Sequence, residues 1–385
     1  MRFPGFEGEW KESTFGECCS GFDYGMNAAS KPFDGTHKYI RITDIDEITS
    51  EYKEDSIVSP AAEIDEHYRV KENDILFART GASTGKTYLY NHNDGRLYYA
   101  GFLIRMNVSQ QDDSRFIFYQ TQTLCYKKWV QVMSMRSGQP GINSQELSSY
   151  RCFLPKLEEQ QRIANLLALI DQRISIQNKV IERYQSLIRA IMQESQQKAT
   201  SIISLREVLS ERRELNSEGY QICSVSVSKG IVNQVEYLGR SFAAKETNHY
   251  HVVKEGDIVY TKSPTGSFPY GIIKQSTLAS PVAVSPLYGV YTPITPEIGT
   301  YLHFYFCSPE NTLNYLRKLI QKGAKNTINI TNNHFLENTI RIPDKKTMSS
   351  TVTAIKTLSS RVEIEVSYLQ SLELQRDYIL NQMFI

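Results

Sequence analysis

Between Lys156 and Lys198 the chain contains neither glycine nor proline, and its apolar residues step by four and three along the whole run. Ile163, Leu167, Ile170, Ile174, Ile181, Ile188 and Ile191 mark this seam, with Gln177 and Tyr184 at its other positions. An α-helix brings residues three and four apart onto one face, so one helix over this run carries a continuous apolar stripe and needs a partner of the same kind. Glu158 and Glu159 fall in its first turn, where the helix dipole favours acids. At about 1.5 Å per residue such a helix is roughly 60 Å long.

The carboxyl-terminal run repeats the arrangement. After Pro343 no glycine or proline precedes Ile385, and Met348, Val352, Ile355, Val362, Val366, Leu369, Leu380 and Met383 follow the same stepping. Ser359, Glu373 and Arg376 are the polar members of this second seam, with Leu358, Leu372 and Ile379 beside them. Laying one helix on the other also aligns the chain upstream. At a shift of 188 residues Ile142 meets Ile330, Leu147 meets Phe335 and Pro155 meets Pro343. At 183, "VKENDILFART" (70–80) meets "VKEGDIVYTKS" (253–263), and at 190, "FGEC" (15–18) meets "LREV" (205–208). Several blocks in one order imply duplication of a globular part followed by a long helix, each copy much too long for a solenoid repeat. The expected organisation is a globular domain at 1–154, a spacer helix at 155–200, a second globular domain at 201–342 and a last helix at 343–385. Strand-like runs ("DILFART", "TYLYNH", "DIVYTK", "LYGVYTP") and helical runs before each spacer ("SRFIFYQTQTLCYKKWVQVMSM", "TYLHFYFCSPENTLNYLRKLIQKG") predict an α+β class for both.

Composition removes several function classes. A length of 385 residues allows two domains with cores of their own. Hydrophobic content of 41% against 22% charged residues is that of a soluble globular protein. No run of about 18 apolar residues occurs, nor an apolar segment behind Met1, so a cytoplasmic protein outside any membrane is expected. Six cysteines without a CxxC pair suit plain thiols in a reducing compartment. There is no HExxH, no Asn/Asp-Pro-Pro-aromatic methylation motif and no glycine-rich cofactor loop, and His249-x-His251 lacks further ligands. The expectation is a chain with no catalytic residue, metal or cofactor. A net charge of +1 does not announce a nucleic-acid binder, though it leaves room for one whose charge is local.

The stretch "ARTGASTGKTYLY" (78–90) is a near miss for a phosphate loop. Gly81 and Gly85 enclose three residues where the ATP loop needs four, and strand-forming residues follow where a helix must open. The second copy has "TKSPTGSFPYG" in this place, with two prolines. Common to both is a strand ending in a basic residue, Arg79 or Lys262, then a hydroxyl residue and a small-residue loop. That suits contact with a phosphate or a base edge, and equally a solvated hairpin. A second basic group precedes each spacer: Lys127, Lys128, Arg136, Gln139 and Asn143 in the first copy, and Arg317, Lys318, Lys322, Lys325 and Asn326 in the second. Lys318 and Lys322 are expected on one helix face, with Gly323 ending that helix.

The first spacer, "LPKLEEQQRIANLLALIDQRISIQNKVIERYQSLIRAIMQ", resembles the central conserved region of the specificity (S) subunits of type I restriction–modification systems, above all in its Leu-Pro-x-Leu-x-Glu-Gln opening. "RFPGFEGEW…FGE" resembles the start of such chains, and "NDILFARTGASTGK" a strand-loop block of their recognition domains. The last helix departs from the pattern, since "IPDKKTMSSTVTAI" lacks the Glu-Gln-Gln signature. The resemblance spans essentially the whole chain. It implies two target-recognition domains, each reading half of a split sequence in double-stranded DNA, and two spacer helices packed antiparallel as a ruler. It also implies a non-catalytic subunit that positions two adenine-methylating modification subunits, and restriction subunits that translocate and cleave DNA.

On that footing DNA contacts are expected at Arg79, Lys86, Arg136 and Gln139 in the first domain and at Lys262, Lys322, Lys325 and Asn326 in the second. The helix interface is expected at Ile163, Leu167, Ile170, Ile174, Ile181 and Ile188 against Val352, Ile355, Val362, Val366 and Leu369. Three other functions remain open at this point: the recognition partner of a fused cleavage–methylation enzyme, a coiled-coil scaffold with two protein-binding domains and no DNA, and, last, an autonomous enzyme.

Overall fold

The computed structural model describes residues 2–135, 139–234, 246–322 and 328–384, the side chains at 321, 322, 328 and 329 excepted. The chain divides into two compact units, Met1–Asn178 with Ser367–Ile385, and Lys179–Val366. Each unit therefore holds one globular part and part of each long helix.

The first unit runs β1 (Lys11–Thr14), β2 (Cys19–Tyr24), β3 (Ser30–Pro32), β4 (Lys38–Ile40), β5 (Val58–Pro60), β6 (Asp74–Ala78), β7 (Thr87–Leu89), β8 (Leu97–Tyr99), β9 (Leu103–Val108), α1 (Ser114–Gln120), α2 (Leu124–Met133), α3 (Ser144–Ser148) and β10 (Arg151–Leu154), then enters α4 (Leu157–Gln197). Its main sheet is antiparallel in the order β2-β9-β6-β7, while β1 closes on β10 next to the long helix. The second unit continues from α4 through β11 (Ser201–Ser204), α5 (Leu205–Val208), β12 (Leu209–Glu211), β13 (Cys223–Ser226), β14 (Gly230–Asn233), β15 (His251–Val253), β16 (Ile258–Thr261), β17 (Ile272–Gln275), β18 (Val282–Val284), β19 (Gly289–Pro293), α6 (Pro296–Phe306), α7 (Pro309–Arg317), β20 (Gln321–Lys322), β21 (Ile328–Asn329), α8 (Asn332–Phe335), β22 (Thr339–Ile342) and α9 (Lys345–Met383). Its main sheet repeats the first, in the order β12-β19-β16-β17, and β11 closes on β22 as β1 does on β10. The α+β class and the duplication are thus both present in the strand order.

The most similar sequence block of the repeat is a turn device. Lys71-Glu72-Asn73-Asp74 and Lys254-Glu255-Gly256-Asp257 lead into β6 and β16, and the third residue takes the left-handed region, φ +67° at Asn73 and +85° at Gly256. The buried Asp74 carboxylate accepts from the Lys71 amide at 2.7 Å, and that of Asp257 from the Lys254 amide at 2.8 Å. Beyond this shared bond the copies differ. Asp74 is completed by the Asn107 amide at 2.8 Å, whereas Asp257 receives the Arg212 guanidinium at 2.7 and 3.1 Å and the Thr292 hydroxyl at 2.8 Å.

The helical runs before the spacers are each broken once, because a hydroxyl side chain caps a second helix. Thr123 accepts from the Tyr126 amide to start α2, and Ser308 accepts from the Asn311 amide to start α7. One expectation fails at the end of α7. The helix stops at Arg317 with Lys318 as its cap, and Lys322 lies in β20, so Lys318 and Lys322 do not share a helix face. The Asn338 amide captures the Tyr315 carbonyl at 2.6 Å, and the buried Leu316 and Leu319 turn the chain into the core of this unit.

In the first unit Ile170, Ile174 and Leu372 are buried together, with Leu166, Leu369 and Ile379 around them. Asp171 accepts a hydrogen bond from the Tyr119 hydroxyl at 2.8 Å and an ion pair from Arg376, which explains one polar gap in the second seam. Ile163 and Leu167 pack further out, in the globular core with Phe116, Ile117, Leu380 and Met383. In the second unit Ile188, Ile191 and Met192 pack with Val352, Ile355 and the ring of Tyr301. Later residues of α4 meet earlier residues of α9, so the pairing is antiparallel. Ile181 is buried, whereas Val362 and Val366 are only half-buried.

Candidate nucleic-acid interface

All five residues of β6 are buried, and the chain surfaces at Arg79. Gly81–Ser83 form a single 3-10 turn, and Gly85 (φ +86°) donates back to the Ala78 carbonyl at 2.8 Å, closing the loop. A Cβ at Gly85 would lie 2.5 Å from Val130 on α2. The glycines therefore serve a tight turn packed against α2, and a strand follows at Thr87, as the failed phosphate-loop match implies.

Other segments come to this strand end. Gly81 donates to the Pro140 carbonyl at 2.9 Å, Ile142 donates to the Arg79 carbonyl at 2.9 Å, and Thr80 bridges Gly141. These bonds set the exposed Gln139 beside the loop, its amide nitrogen 3.2 Å from where a Cβ on Gly81 would stand. The Arg79 amide donates to the Phe102 carbonyl at 3.0 Å. The Arg79 guanidinium lies over the ring of Tyr24 at the end of β2, 4.9 Å from its centroid, a cation–π contact. The Tyr24 hydroxyl accepts from the Ser144 amide at 3.2 Å and is hydrogen-bonded to the Ser144 hydroxyl at 3.2 Å. Those bonds first, and then the Arg79 charge, lower the phenol pKa. Arg79 Nε is buried and has no acceptor among the described residues.

The structure thus brings Arg79 and Gln139 together and adds Tyr24, Ser144 and Phe102, which sequence analysis missed. Lys86, from the same loop, is paired with Glu47 at 2.5 Å, and this partner lowers the Glu47 pKa. Arg136 lies outside the described residues.

The second unit carries different chemistry on the same frame. Ile75 and Ile258 are repeat partners; Met106 faces both Phe22 and Ile75, and Tyr291 faces both Glu211 and Ile258. Glu211 therefore stands where Phe22 does, and Arg213 where Tyr24 does. Asn332 stands where Ser144 does, each the first residue of a short capped helix. Glu211 accepts from the Asn332 amide at 2.9 Å and from Arg213 Nε at 2.8 Å, leaving most of the Arg213 side chain exposed. Lys262, the partner of Arg79, is half-buried; burial lowers its pKa, and the nearby Glu211 carboxylate opposes that. The side chain of Lys322, and all of Lys325 and Asn326, lie outside the described residues.

Residues 7–183 match the type I restriction modification DNA specificity domain. The specificity subunit of the type I restriction enzyme MjaVIII of Methanocaldococcus jannaschii is 22% identical over 368 residues, covering 87% of this chain and 84% of the relative. Residues 7–183 thus carry the likeness to that domain family, and the chain as a whole is similar to a type I specificity subunit. Its fold agrees along its length with that of the crystallised type I restriction–modification S subunit from M. genitalium, at TM-score 0.62, 13% identity and coverage of 100% and 99%. A chain from the structural work on complex assembly and conformational transition of the type I R-M system aligns at TM-score 0.51 and 14% identity, covering 97% of this chain and 96% of its own length.

Proposed function

We propose that this chain is a specificity subunit, the sequence-reading component of a type I restriction–modification complex, with one recognition surface in each globular domain and a bipartite DNA target. The observation that carries this is the repeated strand end. Arg79 with Tyr24 and Ser144, and Lys262 with Arg213 and Asn332, occupy equivalent positions on the same sheet frame while offering different donors and acceptors. Basic residues supply affinity through phosphates, and the differing neighbours supply discrimination at base edges. On this proposal the paired helices fix the distance between half-sites, and the chain positions adenine-methylating modification subunits and restriction subunits without performing chemistry itself.

The test is to co-express the chain with modification subunits from its genomic neighbourhood and map methylated adenines. A split motif with a fixed non-specific gap is expected. Methylation that persists unchanged without this chain refutes the proposal.

A further inference from the structure

Single exposed apolar side chains are ordinary on protein surfaces, but two of them here occupy one position of the repeat. Phe102 is 58% exposed and Leu287 is 72% exposed. Ile104 stands opposite Phe77 in the first sheet and Gly289 opposite Tyr260 in the second. Phe77 and Tyr260 are repeat partners, so Phe102 and Leu287 each lie two residues before equivalent points of β9 and β19. The surrounding sequence has diverged, Ala100-Gly101-Phe102-Leu103 against Ser285-Pro286-Leu287-Tyr288, yet both copies present a large apolar side chain to solvent.

Both turns are held firmly. Leu103 donates to the Ala100 carbonyl at 2.8 Å, Gly101 to Met26 at 2.8 Å, and Arg79 to Phe102 at 3.0 Å. In the second unit Tyr288 donates to the Ser285 carbonyl at 2.9 Å, and Leu287 to the Ser285 hydroxyl at 3.3 Å. The first of these turns is tied by its backbone to Arg79, whose Nε lacks an acceptor among the described residues. Duplex DNA beside a phosphate-binding cation offers apolar surface chiefly on the faces of its stacked bases, and a rigid apolar side chain can enter a base step by partly unstacking it.

We propose that Phe102 and Leu287 are wedges, one for each half-site, that enter a base step of the bound duplex. This rests on the DNA-reading function proposed above and adds to it a deformation of the target. The test uses the complete complex of this chain with its modification subunits, and target duplexes carrying 2-aminopurine at successive positions. Unstacking raises the fluorescence of that base. Enhancement is expected at one step in each half-site, in addition to any at the methylated adenines. Phe102→Ala should return one step to the free-duplex level and Leu287→Ala the other, each weakening binding about tenfold, while Phe102→Leu keeps the signal. Both side chains are exposed, so matching melting curves will establish that the variants are folded. Target binding with unchanged fluorescence in both alanine variants overturns the wedge and leaves sequence reading intact. A wild-type complex that binds no DNA overturns both.

Discussion

Arg79 has a backbone fixed by hydrogen bonds from Ile142 and to Phe102, and a guanidinium laid on Tyr24. A cation so pre-placed is expected to contribute to binding with little ordering cost. Arg79→Ala should weaken target binding by about tenfold and reduce the salt slope of binding by about one, measured by titrating the assembled complex at several ionic strengths. An unchanged slope would show that Arg79 does not meet a phosphate. Asp257 invites a different experiment, because its buried carboxylate holds the Arg212 guanidinium by two hydrogen bonds where Asp74 meets the neutral Asn107 side chain. Asp257→Ala should destabilise the second unit by about 3 kcal/mol, visible as an earlier melting transition. His303 gives a pH dependence. Its Nδ1 accepts from the Gln275 amide at 3.0 Å, and burial first, then the Lys274 charge, hold its pKa down to about 4. The unfolded chain takes up this proton near pH 6.5 and the folded chain does not, so stability should fall as pH drops from about 6.5 towards 4. His303→Gln should flatten that part of the stability profile. Of the candidate site, Arg79 and Gln139 were legible because a basic residue at a strand end and a polar residue before the spacer are local signals. Tyr24, Ser144 and Phe102 join them through cross-strand register over tens of residues, which composition and spacing do not carry.

The long helices were the most legible elements, since a breaker-free run leaves the chain little choice: no glycine or proline between Lys156 and Lys198 becomes a helix over Leu157–Gln197. Asp344 stands immediately before α9 and caps it, accepting from the Lys346 and Thr347 amides at 2.9 and 3.1 Å. Which seam residues pack between helices was less legible, because four-three stepping gives the face and not the neighbour. Ile163 and Leu167 continue the stripe into the globular core, and Leu372, beside the seam in the sequence, is a fully packed member of the pair. Leu372→Ala should therefore cost about 2–4 kcal/mol, whereas the half-buried Val362→Ala should cost about 1 kcal/mol or less. Thermal or denaturant unfolding of the two variants checks the contrast, and equal losses would show that the seam is buried evenly. Gly323 was a misleading stop signal, because the end of α7 is set by burial of Leu316 and Leu319 and by the Asn338 cap, which are tertiary effects.

At the scale of the whole molecule, duplication explains why two domains with so few identical residues share one strand order. In each copy a strand pair, β1 with β10 or β11 with β22, joins the globular part to its long helix. If α4 and α9 measure the distance between half-sites, their length should set the gap in the target while the domains set the bases. Seven residues added to each helix, after Asn178 and after Val366, keep the four-three stepping intact and lengthen the pair by roughly 10 Å at about 1.5 Å per residue. Duplex DNA advances about 3.4 Å per base pair, so the non-specific gap should grow by about three base pairs. Mapping methylated adenines with the lengthened chain reads both quantities at once. The two half-site sequences should stay as they are and only the gap should change. A gap of unchanged length would take the ruler role from the helices and leave them as a structural link alone.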